Sequence, residues 1–241
     1  MDYLLKNLNL FSGTGNEALK NAAIWVAGNK IKFAGSFEAL PEMPQATVEK
    51  DLAGKFVMAG MTETHAHLSF ADASPFAIGE TLVEEATLTA VRNARLMLGS
   101  GFTSAVSFGS TYKIDVALRD AISQESVIGP RLLAAGRDLG ATASNVDSGG
   151  GLSQIADGPW ALRKAVREQR KIGVDVVKIF IDGEAINKQN PPGELSFTDE
   201  EVSAAVAEAH RRGMRVACHA RSAAAVKQAV RAEVDFIGHA N

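Results

Sequence analysis

The 241-residue sequence has one cysteine, Cys218, which excludes an internal disulfide framework and fits a reducing compartment. No apolar run reaches the roughly 18–20 residues of a membrane span, and the first residues lack the pattern of a signal peptide. Positive charge is not in excess, because 25 Lys and Arg stand against 28 Asp and Glu. We therefore expect a cytoplasmic protein that binds neither nucleic acid nor membrane.

The composition is that of a globular protein, with 46% hydrophobic and 22% charged residues. Residues 1–55 consist of short strand-like segments separated by turns. Segments 22–26 and 30–34 flank Ala27-Gly28-Asn29, a pattern that predicts a hairpin. The first 55 residues therefore predict a small β unit.

From residue 56, short apolar runs alternate with amphipathic helical segments. This alternation predicts an α/β fold, with a parallel sheet covered by helices. Thr198 and Glu201 predict a capping box, and Gly173 and Gly213 predict helix ends. The predicted strands are 56–61, 102–108, 131–135, 174–181, 214–218 and 236–238, and the predicted helices are 80–98, 112–123, 159–172, 199–212 and 222–232.

Four of the five histidines, His65, His67, His219 and His239, lie at or just beyond predicted strand ends. In a closed parallel βα barrel, the carboxyl ends of the strands meet on the face that carries the active site. Residues i and i+2 of an extended chain point to the same side, so His65-Ala66-His67 offers two imidazoles to one metal ion. Taken singly, each histidine is more often a polar strand-end residue than a ligand, but the four together favour a metal site.

Lys178 lies in the middle of the apolar run 174–181. A charged lysine inside a buried strand is costly unless it is paired or neutralised. The structural interpretations are a salt bridge to a nearby acid, or a lysine that extends to solvent from an edge strand. The functional interpretation is a neutral lysine, either nucleophilic or carbamylated by CO₂. A carbamate has two oxygens and can bridge two divalent cations.

Other candidates have simpler explanations. Strand alternation puts Cys218 on the opposite face from His219, as a buried apolar residue, and His210 stabilises a helix C-terminus. The glycine-rich stretch 148–151 lacks the Lys-Ser/Thr of a phosphate-binding loop. The long polar loop 183–197 is expected to border an active site.

Taken together, these segments resemble the metal-dependent amidohydrolase superfamily, in its imidazolonepropionase/prolidase-like branch (Xaa-Pro dipeptidase or carboxypeptidase-like). Segments 8–15 and 31–35 are similar to the small β-sandwich that precedes the barrel in that family. The barrel-like segments are 51–55 with the following His65-Ala66-His67, then 128–137, 176–179, 209–213, 216–220 and 237–239. The combination is specific, although no single segment is.

The resemblance implies a (β/α)8 TIM barrel, with six of eight units in residues 56–241, preceded by part of a β-sandwich in residues 1–55. It implies a binuclear centre in which His65 and His67 bind the more buried metal and His219 and His239 bind the second. Lys178, carboxylated to a carbamate, would bridge the two metals and act in catalysis. Zinc is the expected metal, with manganese or cobalt as alternatives, and a metal-bridging hydroxide would be the nucleophile.

The expected substrate is a small molecule with an amide-type bond: a peptide, N-acyl amino acid, aryl amide, carbamate or urea. Tyr112 and Asn145 lie in segments expected above the metal face and are candidate substrate contacts. Three features depart from the family pattern. The aspartate ligand after the eighth strand would lie beyond Asn241, while residues 106–109 and 143–147 lack the family's Arg-Asp and substrate-side histidine.

The sequence supports three hypotheses. The first is a binuclear amidohydrolase acting on carbon–nitrogen bonds, expected to form a homo-oligomer. The second is an incomplete or non-catalytic chain that needs a C-terminal segment or a second chain to complete its barrel. The third is an aldolase that forms a Schiff base through Lys178, against which the four strand-end histidines argue.

Overall fold

A computed structural model of the chain describes residues 1–15, 17–44, 47–71, 75–147, 151–184 and 188–241. The chain divides into two compact units, Met1–Gly60 and Met61–Asn241. No helix in these ranges is both long enough and apolar enough to cross a membrane.

The described residues of the first unit form one five-stranded sheet. Its strands run in the order β3-β2-β1-β4, and β5 also pairs with β1. The predicted hairpin is confirmed as β2 and β3, with Gly28 at φ 60° in the turn. Leu8 and Ile24 lie in its buried apolar cluster. The elements are β1 (Asp2–Phe11), β2 (Leu19–Ala27), β3 (Lys30–Ser36), a 3-10 helix (Phe37–Ala39), β4 (Val48–Asp51) and β5 (Phe56–Met58).

The second unit alternates strands and helices. Every strand pair among its described residues is parallel, in two sheets of order β6-β7-β8 and β10-β9-β11-β12-β13. The predicted α/β class is therefore confirmed, and closure of the strands into a barrel stays a prediction. The elements are β6 (Met61–Ala66), α1 (Pro75–Glu80), α2 (Val83–Gly99), β7 (Phe102–Ser107), α3 (Ile114–Ser123), β8 (Arg131–Leu133), β9 (Asp138–Gly140), β10 (Ser153–Ile155), α4 (Pro159–Ile172), β11 (Val176–Phe180), α5 (Asp199–His210), β12 (Arg215–Ala220), α6 (Ala223–Arg231) and β13 (Phe236–His239).

The predicted strand 56–61 is wrong in its extent. Residues Phe56–Met58 pair with β1 in the first unit, whereas β6 begins at Met61 and pairs with β7. One apolar run therefore supplies strands to two different sheets, and hydrophobicity alone does not reveal which partner a strand has. The short strands β9 and β10 were not predicted, because each has only three residues.

Local signals place the helices accurately. The Thr198 side chain accepts from the backbone of Glu201, and the Glu201 side chain accepts from the backbone of Thr198, which confirms the capping box at the start of α5. Helix α4 ends at Gly173, whose φ of 92° lies in the left-handed region where glycine has no Cβ penalty. Both helices pack on β11 and β12 through the largest buried apolar cluster of the described residues.

Carboxylates at the amino ends of β11 and β13 accept hydrogen bonds from the neighbouring backbone. Asp175 Oδ2 accepts from the backbone N–H of Ala134 at 2.8 Å. Asp235 Oδ2 likewise accepts from the backbone N–H of Val216, at 2.8 Å. His210 contacts the same carboxylate, with Nε2 2.9 Å from Oδ2, so its role is structural. Asp175 thus ties the amino end of β11 to the residue that follows β8, and Asp235 ties the amino end of β13 to β12.

Glu208 on α5 is fully buried beneath arginines of α4 and α5. Its carboxylate accepts from Arg167 at 2.8 Å, from Arg211 at 2.7 Å and from Arg212 at 2.7 Å. The hydrogen bond from Arg167 is the main cause that lowers the pKa of Glu208 to about 2. One buried carboxylate thus links α4 to the end of α5.

We predict that Glu208→Gln lowers the free energy of unfolding at neutral pH by about 2 kcal/mol, because it removes the charge-assisted hydrogen bonds from the arginines. The loss is no larger because the arginines are partly exposed and water screens their charges. Because the pKa of Glu208 is lower in the folded than in the unfolded state, its ionised carboxylate stabilises the fold at pH values above the unfolded-state pKa. This stabilisation is lost as the pH falls toward about 2. Urea unfolding at about pH 6 and about pH 3 measures both effects.

The difference between wild type and Glu208→Gln should therefore shrink at the lower pH. Arg211→Ala is the comparison variant. Its side chain is 66% exposed, so it should cost less than about 1 kcal/mol. An equal loss in both variants, or a pH-independent difference, would contradict the assignment.

Candidate metal centre

Four histidines converge at the carboxyl ends of β6, β12 and β13. The ring centroids of His65 and His67 are 5.2 Å apart, and those of His65 and His239 are 4.7 Å apart. His219 completes the group, with its centroid 4.5 Å from that of His239. The structure thus brings together the four strand-end histidines that the sequence singled out. Strand register explains this, because β12 pairs with β13 so that His219 lies opposite Gly238.

Two histidines are fixed by contacts from the segment that follows β7. His67 Nδ1 lies 3.0 Å from the carbonyl oxygen of Gly109. A carbonyl only accepts, so Nδ1 carries the proton and Nε2 keeps its lone pair. The ring of His65 stacks on Phe108 at 4.1 Å, and the ring of His67 stacks on Phe70 at 4.5 Å. These contacts set the direction of both imidazoles before any ligand binds.

The packing around His65 depends on a residue without a side chain. A Cβ at Gly238 would lie 2.9 Å from His65 Cε1 and 2.9 Å from a ring carbon of Phe108. Real Cβ atoms do not approach other atoms so closely, so only glycine fits at this position of β13 without displacing a ring.

Lys178 is 1% exposed in the middle of β11. Its Nζ donates to the carbonyl oxygen of Phe108 at 2.9 Å and lies 5.0 Å from the centre of the Phe108 ring. Burial is the main cause that lowers the pKa of Lys178, with Asp138 acting in the opposite direction. Burial therefore shifts Lys178 toward its neutral form, the direction that the functional interpretation needs.

All four histidines are shifted toward the neutral form. Burial, followed by the charge of Lys178, lowers the pKa of His65 to about 4, of His67 to about 3 and of His219 to about 2. Burial, followed by Arg221, lowers the pKa of His239. Metal ions bind imidazole through an unprotonated nitrogen, so the group is ready to coordinate a metal at neutral pH.

A cavity of about 140 Å³ lies beside these side chains. Asn145, one of the two predicted substrate contacts, lines it and is held by Asn190, whose carbonyl oxygen accepts from Asn145 Nδ2 at 2.9 Å. Tyr112 is not among the described residues that line it. Tyr112 lines a separate groove of about 520 Å³ with residues of α2 and α3. The described lining is His65, His67, Phe70, Asp138, Asn145, Val146, Leu152, Lys178, Phe180, Glu184 and His219.

Two acidic residues of the cavity were missed from the sequence. Asp138 is 4% exposed, its Oδ1 has no hydrogen-bond partner among the described residues, and burial raises its pKa to about 6. Glu184 has its Oε1 3.4 Å from His219 Nε2. The available signals were an aspartate inside an apolar segment and a glutamate just beyond the end of β11, the same placement that marked the histidines.

The remaining predicted features are structural or fall outside the description. Cys218 is fully buried in the apolar cluster, and burial raises the pKa of its thiol to about 12, which confirms its opposite orientation to His219. Glu63 accepts from the backbone N–H of His65 at 2.9 Å. Residues 148–150 of the glycine-rich stretch and 185–187 of the loop 183–197 lie outside the described residues.

The donor set fits divalent cations. It offers neutral imidazole nitrogens and carboxylates, and the ligand atoms of Glu184, His219 and His239 all lie within 4.8 Å of one another. His219 Nε2 is buried and has no hydrogen-bond partner among the described residues. A buried nitrogen without a partner is costly unless something binds it, and a metal ion would satisfy it.

Known proteins match both the sequence and the structure. Ochratoxinase of Aspergillus niger is 27% identical over 258 residues, which cover 95% of this chain and 52% of the relative. A crystal structure of an amidohydrolase superposes with a TM-score of 0.90 at 28% identity, covering 98% of this chain and 60% of that one. A Xaa-Pro dipeptidase with methionine bound in its active site superposes with a TM-score of 0.86 at 27% identity, covering 98% and 61%.

The chain spans about half the length of the curated relatives it matches. The family and its structural neighbours imply a TIM-barrel-type fold. The resemblance to amidohydrolases and to their prolidase-like branch is confirmed by these matches. Because residues 56–241 match the amidohydrolase family model, the chain belongs to the amidohydrolase family.

Proposed function

We propose that the chain carries the metal-binding part of a hydrolase that cleaves amide-type carbon–nitrogen bonds with a binuclear centre. The observation that carries the proposal is the convergence of four imidazoles, three of which line one cavity together with a fully buried lysine. The relatives support the bond type, since the similar solved structures include an amidohydrolase and a Xaa-Pro dipeptidase.

In this proposal His65 and His67 hold one divalent cation, and His219 and His239 hold the other. Zinc suits nitrogen-rich ligands, and manganese or cobalt are alternatives. Two bound cations would supply a water of lowered pKa and polarise the scissile carbonyl. The protein contributes fixed ring directions, through Gly109 and Phe108, and a cavity small enough to limit access of solvent.

Lys178 is the proposed bridging ligand, as a carbamate. Carbamylation needs an unprotonated amine, whose nitrogen attacks CO₂ and releases one proton as the N–C bond forms. Burial favours that form of Lys178. The resulting anion lies among neutral imidazoles, and its charge is compensated only when cations are present. Carbamylation and metal binding should therefore stabilise each other.

Asn145 is the proposed substrate contact. Its Oδ1 has no partner among the described residues, while its Nδ2 is held by Asn190. A fixed acceptor beside the metal site suits the N–H of an amide substrate. Support for Tyr112, the other residue proposed from the sequence, rests only on its place after β7.

The larger assembly is also a proposal. The two parallel sheets would form part of a (β/α)8 barrel in residues 56–241, preceded by part of a β-sandwich in residues 1–55. A C-terminal segment or a second chain would supply the remaining strands and the aspartate ligand. The match to the solved amidohydrolase supports this, because the aligned region covers 98% of this chain but only 60% of that structure. Homo-oligomerisation and a cytoplasmic location stay predictions from the sequence.

We predict that the wild-type protein retains two equivalents of divalent metal per chain after dialysis and that Lys178→Ala binds less than one. The bridging ligand is then missing, and both sites lose affinity together. Inductively coupled plasma mass spectrometry gives the metal content, and ¹³C-bicarbonate labelling detects the carbamate by NMR.

Cys218→Ala is the control, because Cys218 lies on the opposite face of β12 and should leave both signals unchanged. Full metal content and amide hydrolysis in Lys178→Ala would rule out the bridging role. Covalent trapping of Lys178 by borohydride with a carbonyl substrate would instead indicate Schiff-base chemistry.

For the substrate contact, we predict that Asn145→Ala raises KM for N-acyl amino acids by about tenfold with metal content unchanged, the loss expected for one hydrogen bond. Steady-state kinetics on an acyl-amide panel measures this. Tyr112→Phe is the comparison variant, which removes one hydroxyl from the separate groove. A change in metal content in Asn145→Ala, or an unaltered KM, would contradict the role.

A further inference from the structure

Glu184 places a carboxylate against the second pair of histidines. Its Oε1 is 3.4 Å from His219 Nε2, and its side chain is 17% exposed. The ligand atoms of Glu184, His219 and His239 lie within 4.8 Å of one another. Glu184 also lines the cavity that His65, His67 and Lys178 share with His219.

The carboxylate is held in position by a built network. Arg221 Nε donates to Glu184 Oε1 at 2.6 Å. The backbone of Arg221 is fixed in turn, because its N–H donates at 3.0 Å to Oδ1 of the fully buried Asp182. Ser222 donates to the same carboxylate at 2.7 Å. Asp182 therefore fixes the backbone position of the arginine that orients Glu184.

The contact between Glu184 and His219 is not a hydrogen bond. His219 Nε2 is buried and has no hydrogen-bond partner among the described residues, although a carboxylate oxygen lies 3.4 Å away. If Nε2 carries the lone pair, which is the form that binds metal, these two electron-rich atoms repel each other unless a cation lies between them. Two ligand atoms about 2.1 Å from a tetrahedral ion are themselves about 3.4 Å apart, so the spacing is that of ligands sharing one metal.

We propose that Glu184 is a ligand of the metal held by His219 and His239, with Arg221 as the residue that orients the carboxylate. The inference rests on the proposed function for the two histidines and adds a carboxylate to their site, beside the bridging carbamate proposed for Lys178. Two imidazoles and one carboxylate are a known set of protein ligands for a catalytic metal, to which the carbamate of Lys178 would add a further oxygen. The added oxygen ligand also makes the site more favourable for manganese than histidines alone.

Glu184→Gln tests the role directly, because it keeps the size of the side chain and removes its charge. Metal content is measured by mass spectrometry in metal buffers of graded free Zn²⁺, and cobalt-substituted protein gives a visible spectrum that reports the ligands. We expect the weaker of the two metal affinities to fall by about 100-fold, the other to stay unchanged and the cobalt spectrum to change. Arg221→Ala should lower the same affinity by about tenfold, the size of effect reported for groups that orient ligands.

Glu194→Gln is the matched control, since it makes the same chemical change in the same loop, and Glu194 is not among the described residues that line the cavity. Its metal affinities, cobalt spectrum and metal-free melting temperature should equal those of wild type. The assignment would be overturned if Glu184→Gln bound two metals with wild-type affinity and gave an unchanged cobalt spectrum. Failure of the wild-type protein to bind two metals would overturn the proposed binuclear centre itself, and with it this inference.

Discussion

The burial of Lys178 is the constraint on which the rest of the site depends. An amine that is 1% exposed, with the carbonyl oxygen of Phe108 as its acceptor, is poorly accommodated as an ammonium ion. The same low-polarity surroundings keep the histidines unprotonated, and the charge of Lys178 adds to that effect. Burial thus shifts both the lysine and the histidines toward their neutral forms, in which the nitrogen lone pairs are free to bind a metal.

The amino and carboxyl ends of the parallel strands have different roles. At the amino ends, Asp175 and Asp235 accept backbone hydrogen bonds from neighbouring strands, so carboxylates there are used for holding the sheet together. At the carboxyl ends, aromatic rings support the functional side chains, as Phe180 does for His219 at a centroid distance of 3.8 Å. Stability and chemistry are thereby separated along each strand, as is usual for parallel βα folds.

Much of the site could be predicted from the sequence, because strand ends are marked by where apolar runs stop. This signal marked His65, His67, His219 and His239, whereas Lys178 was marked as a charged residue inside an apolar run. Asp138, at the start of β9, and Glu184, just beyond β11, were not singled out, because only the packed structure shows that both line the cavity. The bridge between Gly183 and Pro192 illustrates such a tertiary constraint. Tyr112 lines the separate groove with residues of α2 and α3, and its backbone N–H donates to the carbonyl oxygen of Gly151 at 2.6 Å, a tertiary contact that the local sequence does not reveal.

The close packing at Gly238 has a consequence for how this protein can diverge. A side chain there would collide with the rings of His65 and Phe108, so β13 cannot change the cavity by substitution at this position while the histidine stays in place. Substitution is less constrained at Asn145 and Val146, which line the same cavity and are not among the atoms nearest to a Cβ at Gly238. Descendants of this chain would therefore keep one side of the site fixed and vary the other.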